Sequence, residues 1–93
     1  MEITQLSVVA DHQTVLKEIG DRLKELRIKA GYHSYESFAT AFGLSRMQYW
    51  RIEKGKTNIT IKSLLRLLDI HKISMHDFCA AESRVGNVAG NVR

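Results

Sequence analysis

The sequence predicts an all-α protein, a compact domain of five short helices. Apolar residues recur at intervals of three and four in several stretches, which is the spacing of amphipathic helices rather than of strands. Glycines follow three of these stretches, at Gly31, Gly43 and Gly55, and the 93 residues include no proline. A chain of this length fits one domain with a modest core.

The first helix is expected to run from Thr14, its predicted N-cap, to about Ala30. Gly31 fits the left-handed position that closes the last turn of a helix. The inward stripe of this helix consists of Leu16, Ile19, Leu23, Leu26 and Ala30. The preceding residues, 1–13, are interpreted as an N-terminal arm.

The second helix is expected to begin after Ser34, an N-cap residue, and to end at Gly43. Glu36 lies in its first turn, where the helix dipole favours a negative charge. Its inward face is formed by Phe38, Ala39 and Phe42. After a turn of three residues, Ser45 and Gln48 form an S-x-x-Q capping box that starts the third helix.

The third helix is expected to pack Tyr49 and Ile52 against the preceding helices and to end at Gly55. The fourth runs from Thr60 to about Leu68, and its predicted inward face consists of Ile61, Leu64, Leu65 and Leu68. A fifth helix begins at Ser74, which can form a second capping box with Asp77, and it buries Phe78. The predicted domain therefore covers residues 14–81, followed by a flexible tail at 82–93.

Positive charge is concentrated in one part of the chain. The formal net charge is +4 and the isoelectric point is about 9.5. Between Ser45 and Lys62 lie five basic residues and one acid, Glu53, so this segment alone has an excess of four positive charges. The basic residues are Arg46, Arg51, Lys54, Lys56 and Lys62. The segment is typical of a phosphate-contacting face, and a solvated helix surface is the alternative.

Several functional classes find no support in the residues. No apolar run approaches the roughly 18 residues of a membrane span, and the N-terminus does not resemble a signal peptide, so we expect a cytoplasmic protein. The four histidines and the single Cys79 do not have the spacing of a metal site. No nucleophile–base arrangement, pair of acids or glycine-rich phosphate loop is present. We therefore expect neither catalysis nor a cofactor.

The second and third predicted helices, with their short turn, form a helix-turn-helix unit, in which the second helix enters the DNA major groove. With Tyr49 and Ile52 inward, the outward or rim residues of that helix are Arg46, Met47, Trp50 and Arg51. Gln48 is a weaker candidate, because its side chain is expected to serve its own cap. An arginine on this face can form a paired hydrogen bond with guanine O6 and N7.

The stretch from Val15 to Cys79 resembles the Xre family of phage-repressor-like (lambda-repressor-like) helix-turn-helix proteins, most specifically in "GLSRMQYWRIEKGKTN". The resemblance implies base reading by Arg46, Met47 and Arg51, and an internal salt bridge between Arg27 and Glu53. It also implies phosphate contacts at the start of the second helix and around the loop after the third. The candidate residues for these contacts are Tyr35, Lys54, Gly55 and Lys56.

The expected function is that of a sequence-specific DNA-binding transcriptional regulator, most simply a repressor, acting as a dimer on a palindromic operator. The predicted dimer contact consists of Leu67, Ile70, Ile73, Met75 and Phe78. Family resemblance leaves two further roles open: a restriction–modification controller protein, or an antitoxin that binds a toxin through residues 1–13 or the tail. A protein-interaction module that does not read DNA is a third alternative.

Overall fold

The computed structural model describes residues 11–80, and all the regular structure in that range is helical. The five helices are α1 (His12–Lys29), α2 (Tyr35–Ala41), α3 (Arg46–Glu53), α4 (Ile61–His71) and α5 (residues 75–80). The predicted all-α class with five helices is confirmed. The predicted tail and all but residues 11–13 of the predicted arm lie outside the described residues. None of the described helices is long and apolar enough to cross a membrane.

The described chain divides into two compact units. The first ends at Ile59 and contains α1, α2 and α3. The second begins at Thr60 and contains α4 and α5.

Helix α1 begins three residues earlier than the sequence predicts, because its N-cap is Asp11 rather than Thr14. The Asp11 carboxylate accepts hydrogen bonds from the Thr14 main-chain N–H at 3.2 Å and from the Thr14 hydroxyl at 2.6 Å. These bonds lower the pKa of the Asp11 carboxyl. An aspartate three residues before a threonine can satisfy both donors at once, so Thr14 becomes part of the first turn.

The core of the first unit is aromatic and spans its three helices. Leu23, Phe38, Ala39 and Tyr49 are buried. The ring centre of Phe38 lies 5.0 Å from that of Tyr49 and 4.9 Å from that of Phe42. Phe42 was predicted to face inward, but it lies at the edge of this cluster with 37% of its surface exposed. Such ring pairs contribute about 0.5–1.5 kcal/mol each beyond the area they bury.

Two glycines allow α1 and α3 to approach closely. A Cβ atom at Gly20 would lie 2.5 Å from the main-chain oxygen of Ile52 and nearer still to that of Glu53. At Gly55, which has a φ of +69°, a Cβ atom would lie 2.8 Å from Lys17 Cα. Gly55 is therefore required both by its backbone conformation and by its neighbour, whereas Gly20 is required by its neighbour alone.

In the second unit, α4 begins one residue after the predicted start, because Thr60 is its N-cap and accepts a hydrogen bond from Ser63 N–H at 3.0 Å. The helix ends at His71, three residues beyond the predicted end. The buried residues are Leu64, Leu67, Leu68 and Phe78. The predicted inward positions of Ile61 and Leu65 are wrong, since 64% and 43% of their surfaces are exposed. Leu65 lies about 100° around the helix from Leu64, and Ile61 is the first residue of α4, so neither belongs to the buried stripe.

Candidate nucleic-acid interface

The turn between α2 and α3 is fixed by backbone hydrogen bonds and by one glycine. Gly43 adopts a φ of +67°, and the N–H of Leu44 donates to the Ala39 carbonyl at 2.8 Å. Ser45 then caps α3, accepting a hydrogen bond from the Gln48 main-chain N–H at 3.3 Å. These residues produce the short turn that a helix-turn-helix unit requires.

Helix α3 has one buried face and one exposed face. Tyr49 and Glu53 are buried, and Ile52 and Trp50 are half-buried. The exposed residues of this helix are Arg46, Met47, Gln48 and Arg51. Four of the five predicted base-reading side chains are thus exposed, and the groove-lining residues among them are Arg46 and Met47. The fifth, Trp50, is half-buried.

The role expected of Gln48 changes in one respect. Its main-chain N–H forms the cap with Ser45, while its side chain is exposed. The cap therefore leaves the side-chain amide of Gln48 available, and an amide can bond to adenine N6 and N7.

A buried ion pair holds the inward face of α3 to α1. Arg27 Nε lies 2.6 Å from Glu53 Oε2, and Arg27 Nη2 lies 3.1 Å from Glu53 Oε1. A third nitrogen, Nη1, donates to the Tyr32 carbonyl at 2.8 Å. Both charged side chains are about 5% exposed. This is the salt bridge that the family resemblance implied, and its two-pronged geometry is the strong form of an arginine–carboxylate contact.

The same pair affects its surroundings in two ways. Burial, and then the neighbouring carboxylate of Glu53, raise the pKa of the Tyr49 hydroxyl, which therefore stays protonated. The hydrogen bond to Glu53 also raises the pKa of Arg27. Because the only acid of α3 faces inward, the exposed basic side chains of this helix, Arg46 and Arg51, have no acidic neighbour within α3.

The loop after α3 corrects one predicted phosphate contact. Gly55 is buried, and its N–H donates to the Ile52 carbonyl at 3.1 Å. The N–H of Lys56 donates to the Arg51 carbonyl at 2.8 Å. Closing the end of the helix thus uses both main-chain donors, so the prediction that Gly55 binds phosphate is wrong. The exposed side chains of Lys54 and Lys56 carry the positive charge here.

The first turns of α2 and α3 meet along an open groove lined by Tyr35, Glu36, Ser45, Arg46 and Met47. The main-chain N–H groups at the start of a helix precede its first internal hydrogen bond, so those near Tyr35 suit a phosphate oxygen. The groove therefore places one predicted phosphate-binding position next to two predicted base-reading positions. Glu36, which the sequence associated only with the helix dipole, is the residue of this surface that sequence reasoning missed.

The predicted dimer contact is only partly compatible with the structure. Only 4% of the surface of Leu67 and 3% of that of Phe78 is exposed to solvent, so the chain's own core already covers these side chains. Their assignment to a dimer contact is wrong, because apolar periodicity alone does not distinguish core from interface. The other three residues, Ile70, Ile73 and Met75, are half-buried. Among residues 11–80, no group of three or more His, Cys, Asp or Glu side chains is arranged to hold a metal ion.

Comparison with known proteins agrees with this geometry. A family profile described as a helix-turn-helix domain matches residues 18–77, about two thirds of the chain. A protein of Pyrococcus abyssi that carries the provisional name of an HTH-type transcriptional regulatory protein is 43% identical over 51 residues. That match covers 55% of this chain and 16% of the relative. No solved structure matches the chain. The matched residues include α2, its turn and α3, and the chain belongs to the helix-turn-helix domain family.

Proposed function

We propose that the protein is a sequence-specific DNA-binding transcriptional regulator that inserts α3 into the major groove. The observation that carries this proposal is the composition of the exposed face of α3, which has two arginines, a glutamine and a methionine. The only acid of α3, Glu53, is buried against Arg27 and is absent from this face. The family membership and the name of the Pyrococcus relative support a regulatory role.

Each exposed side chain of α3 has a distinct capacity for recognition. Arg46 and Arg51 can each donate two hydrogen bonds to guanine, and Gln48 can pair with adenine. Met47, with 55% of its surface exposed, offers an apolar contact for a thymine methyl group. Arg46 and Met47 lie in the first turn of α3, the end of a recognition helix whose residues contact base edges.

Phosphate contacts flank this surface in the proposed complex. The N–H groups near Tyr35 lie at the start of α2, and the side chains of Lys54 and Lys56 lie beyond the end of α3. Such contacts fix the orientation of the helix without selecting a sequence. Trp50, at the rim, can pack against the sugar–phosphate backbone.

The regulator is proposed to act in the cytoplasm as a homodimer that represses by occupying a palindromic operator, with no catalytic step of its own. One reading head of this size buries limited surface, and pairing two heads multiplies specificity. We place the dimer contact at Ile70, Ile73 and Met75. A module that binds only proteins is disfavoured, because it has no need of a cationic face on α3. Controller and antitoxin roles are specialised forms of the same DNA-binding function.

The test is selection of binding sites from random duplexes with the wild type, Arg51→Ala and Lys56→Ala. Wild type is expected to enrich a palindrome. Arg51→Ala should relax it at one position per half-site, at a cost of about 1–3 kcal/mol, because one guanine contact is lost. Lys56→Ala should weaken all sequences alike. Lys24→Ala, which removes an exposed lysine of α1, is the matched control and should change neither the selected sequence nor the overall affinity. Enrichment of no sequence by wild type contradicts the proposal.

A further inference from the structure

Glu36 places a negative charge on a surface that otherwise suits the phosphates of DNA. Its side chain is exposed and lines the groove between the first turns of α2 and α3, together with Arg46 and Met47. Within residues 11–80, its carboxylate takes part in no ion pair, unlike Glu53 and Asp21. In the proposed complex, in which α3 docks on DNA, a carboxylate that lines the same groove as Arg46 lies close to the duplex.

The helix dipole favours a carboxylate in this turn but does not select the position of Glu36 within it. A carboxylate in the first turn of α2 interacts favourably with the helix N-terminus at any position of that turn, including the exposed Ser37 on the same turn. The Ser34 cap already satisfies the Ser37 N–H at 3.0 Å without help from Glu36. Repulsion from phosphates lowers the affinity for every duplex unless a base edge on the DNA offers the carboxylate a hydrogen-bond donor.

We propose that Glu36 is a further specificity-determining residue, which accepts a hydrogen bond from the N4 amino group of a cytosine. Cytosine presents the N4 amino donor in the major groove, whereas thymine presents an acceptor and a methyl group in the same region. Adenine also presents an amino donor, at N6, but beside the N7 acceptor, which repels a carboxylate. The recognised pair lies next to the one contacted by Arg46, because both side chains line one groove. Duplexes without this cytosine leave the carboxylate facing acceptors, so Glu36 discriminates by repulsion as well as by attraction.

This inference rests on the proposed function and is tested by variants of one residue. Binding-site selection and measured dissociation constants are compared for wild type, Glu36→Ala and Glu36→Gln, with Glu25→Ala as the matched control, an exposed acid on α1. Wild type should prefer cytosine at one position per half-site by about tenfold, the effect of one good base contact. Glu36→Ala should abolish that preference, and Glu36→Gln, which keeps an acceptor but loses the charge, should retain part of it.

The readout is a ratio of affinities of one protein preparation for two duplexes, so partial unfolding of a variant does not alter it. If Glu36→Ala binds every sequence more tightly by one common factor and keeps all base preferences, the inference is overturned. Unchanged binding by Glu36→Ala overturns it equally. In both cases the wild-type palindrome still supports the proposed function. If wild type itself enriches no sequence, the proposed function fails and the role of Glu36 fails with it.

Discussion

At the scale of single residues, Arg27 and Glu53 show how a charged pair can be structural in a basic domain. Each side chain is almost fully buried, and together they form three hydrogen bonds that join α1, α3 and the Tyr32 carbonyl. A buried charge that loses its partner keeps its desolvation cost and gains nothing in return. The pair therefore behaves as one unit in any mutational experiment.

Arg27→Met is expected to lower the free energy of unfolding by about 3–5 kcal/mol, because Glu53 is left buried without its partner. The double variant Arg27→Met/Glu53→Leu should recover most of that loss, since no charge then remains in the site. Urea denaturation of wild type and the two variants measures both effects. Equal stability of the single and double variants would contradict this account of the pair.

His71, the last residue of α4, makes stability depend on pH. Burial lowers the pKa of its imidazole below the ordinary value of 6.5. The unfolded chain therefore binds a proton at a higher pH than the folded chain does. The free energy of unfolding should decrease as the pH falls from about 6.5 through the lowered pKa, and this contribution should level off below it. In His71→Gln the slope in this window should be smaller; an unchanged slope would assign the dependence to other groups.

At the scale of secondary-structure elements, the spacing of α1 and α3 depends on glycine rather than on large side chains. Gly20 meets main-chain atoms of Ile52 and Glu53, and Gly55 meets those of Lys17. Main-chain atoms cannot rotate away as a side chain can, so any Cβ atom must push the helices apart. The position of the recognition helix is therefore sensitive to a single methyl group in α1.

Three glycine-to-alanine variants separate backbone conformation from contact. At Gly31 a Cβ atom has open space, but the backbone has a φ of +97°. At Gly20 a Cβ atom clashes with main-chain atoms, but the backbone φ is not positive. Gly55 combines a Cβ clash with a positive φ. Gly20→Ala should destabilise by about 1–3 kcal/mol, as overpacking does. Gly31→Ala should cost about 1 kcal/mol, the penalty of a left-handed L-residue, and Gly55→Ala should cost more than either. Thermal unfolding gives the order, and a larger effect at Gly31 than at Gly55 would contradict it.

Local signals in the sequence predicted the helix ends well. Ser34, Ser45, Thr60 and Ser74 each accept a hydrogen bond from the main-chain N–H three residues later, as the capping patterns indicate. These bonds depend only on neighbouring residues, which the sequence displays. The start of α1 was missed because Asp11 competed with Thr14 for the same role, and the sequence did not show which of them caps the helix.

Features that depend on distant residues were predicted less well. Periodicity identified α4 as amphipathic but made its buried stripe too wide, so Leu65 was expected inside. It likewise assigned Leu67 and Phe78 to a dimer although the core uses them. Gly20 drew no attention, because its requirement is set by residues more than 30 positions away. For the interface, the exposed arginines of α3 were predicted from helix geometry, while the position of Glu36 beside them required the structure.

At the scale of the whole molecule, the net charge of +4 is less informative than its arrangement. The single acid between Ser45 and Lys62, Glu53, is buried in an ion pair. The lysines after α3, Lys54 and Lys56, are exposed. Association with DNA should therefore release counterions from the phosphates that these lysines neutralise. The salt dependence of binding counts such contacts directly.

A dimer that uses Lys54 and Lys56 of each chain makes four phosphate contacts. The slope of log K against log salt concentration is therefore expected to be about −3.6 or steeper. Lys54→Ala/Lys56→Ala should remove most of this slope while leaving the selected sequence unchanged. Lys24→Ala/Lys29→Ala, on α1, is the matched control. Fluorescence anisotropy titrations at several salt concentrations measure the slopes; equal slopes for the two double variants would argue against lysine contacts at the end of α3.

The two faces of α3 have a consequence for how the proposed regulator can diverge. The side-chain contacts that hold the helix against α1 and α2, including the ion pair, Tyr49 and the contact with Gly20, lie on its inner side. The outer side chains contribute little to folding and are free to be exchanged. If the proposed function holds, a gene copy could acquire a new operator by changes at four exposed positions, Arg46, Met47, Gln48 and Arg51, and two paralogues could become insulated from each other at little cost in stability.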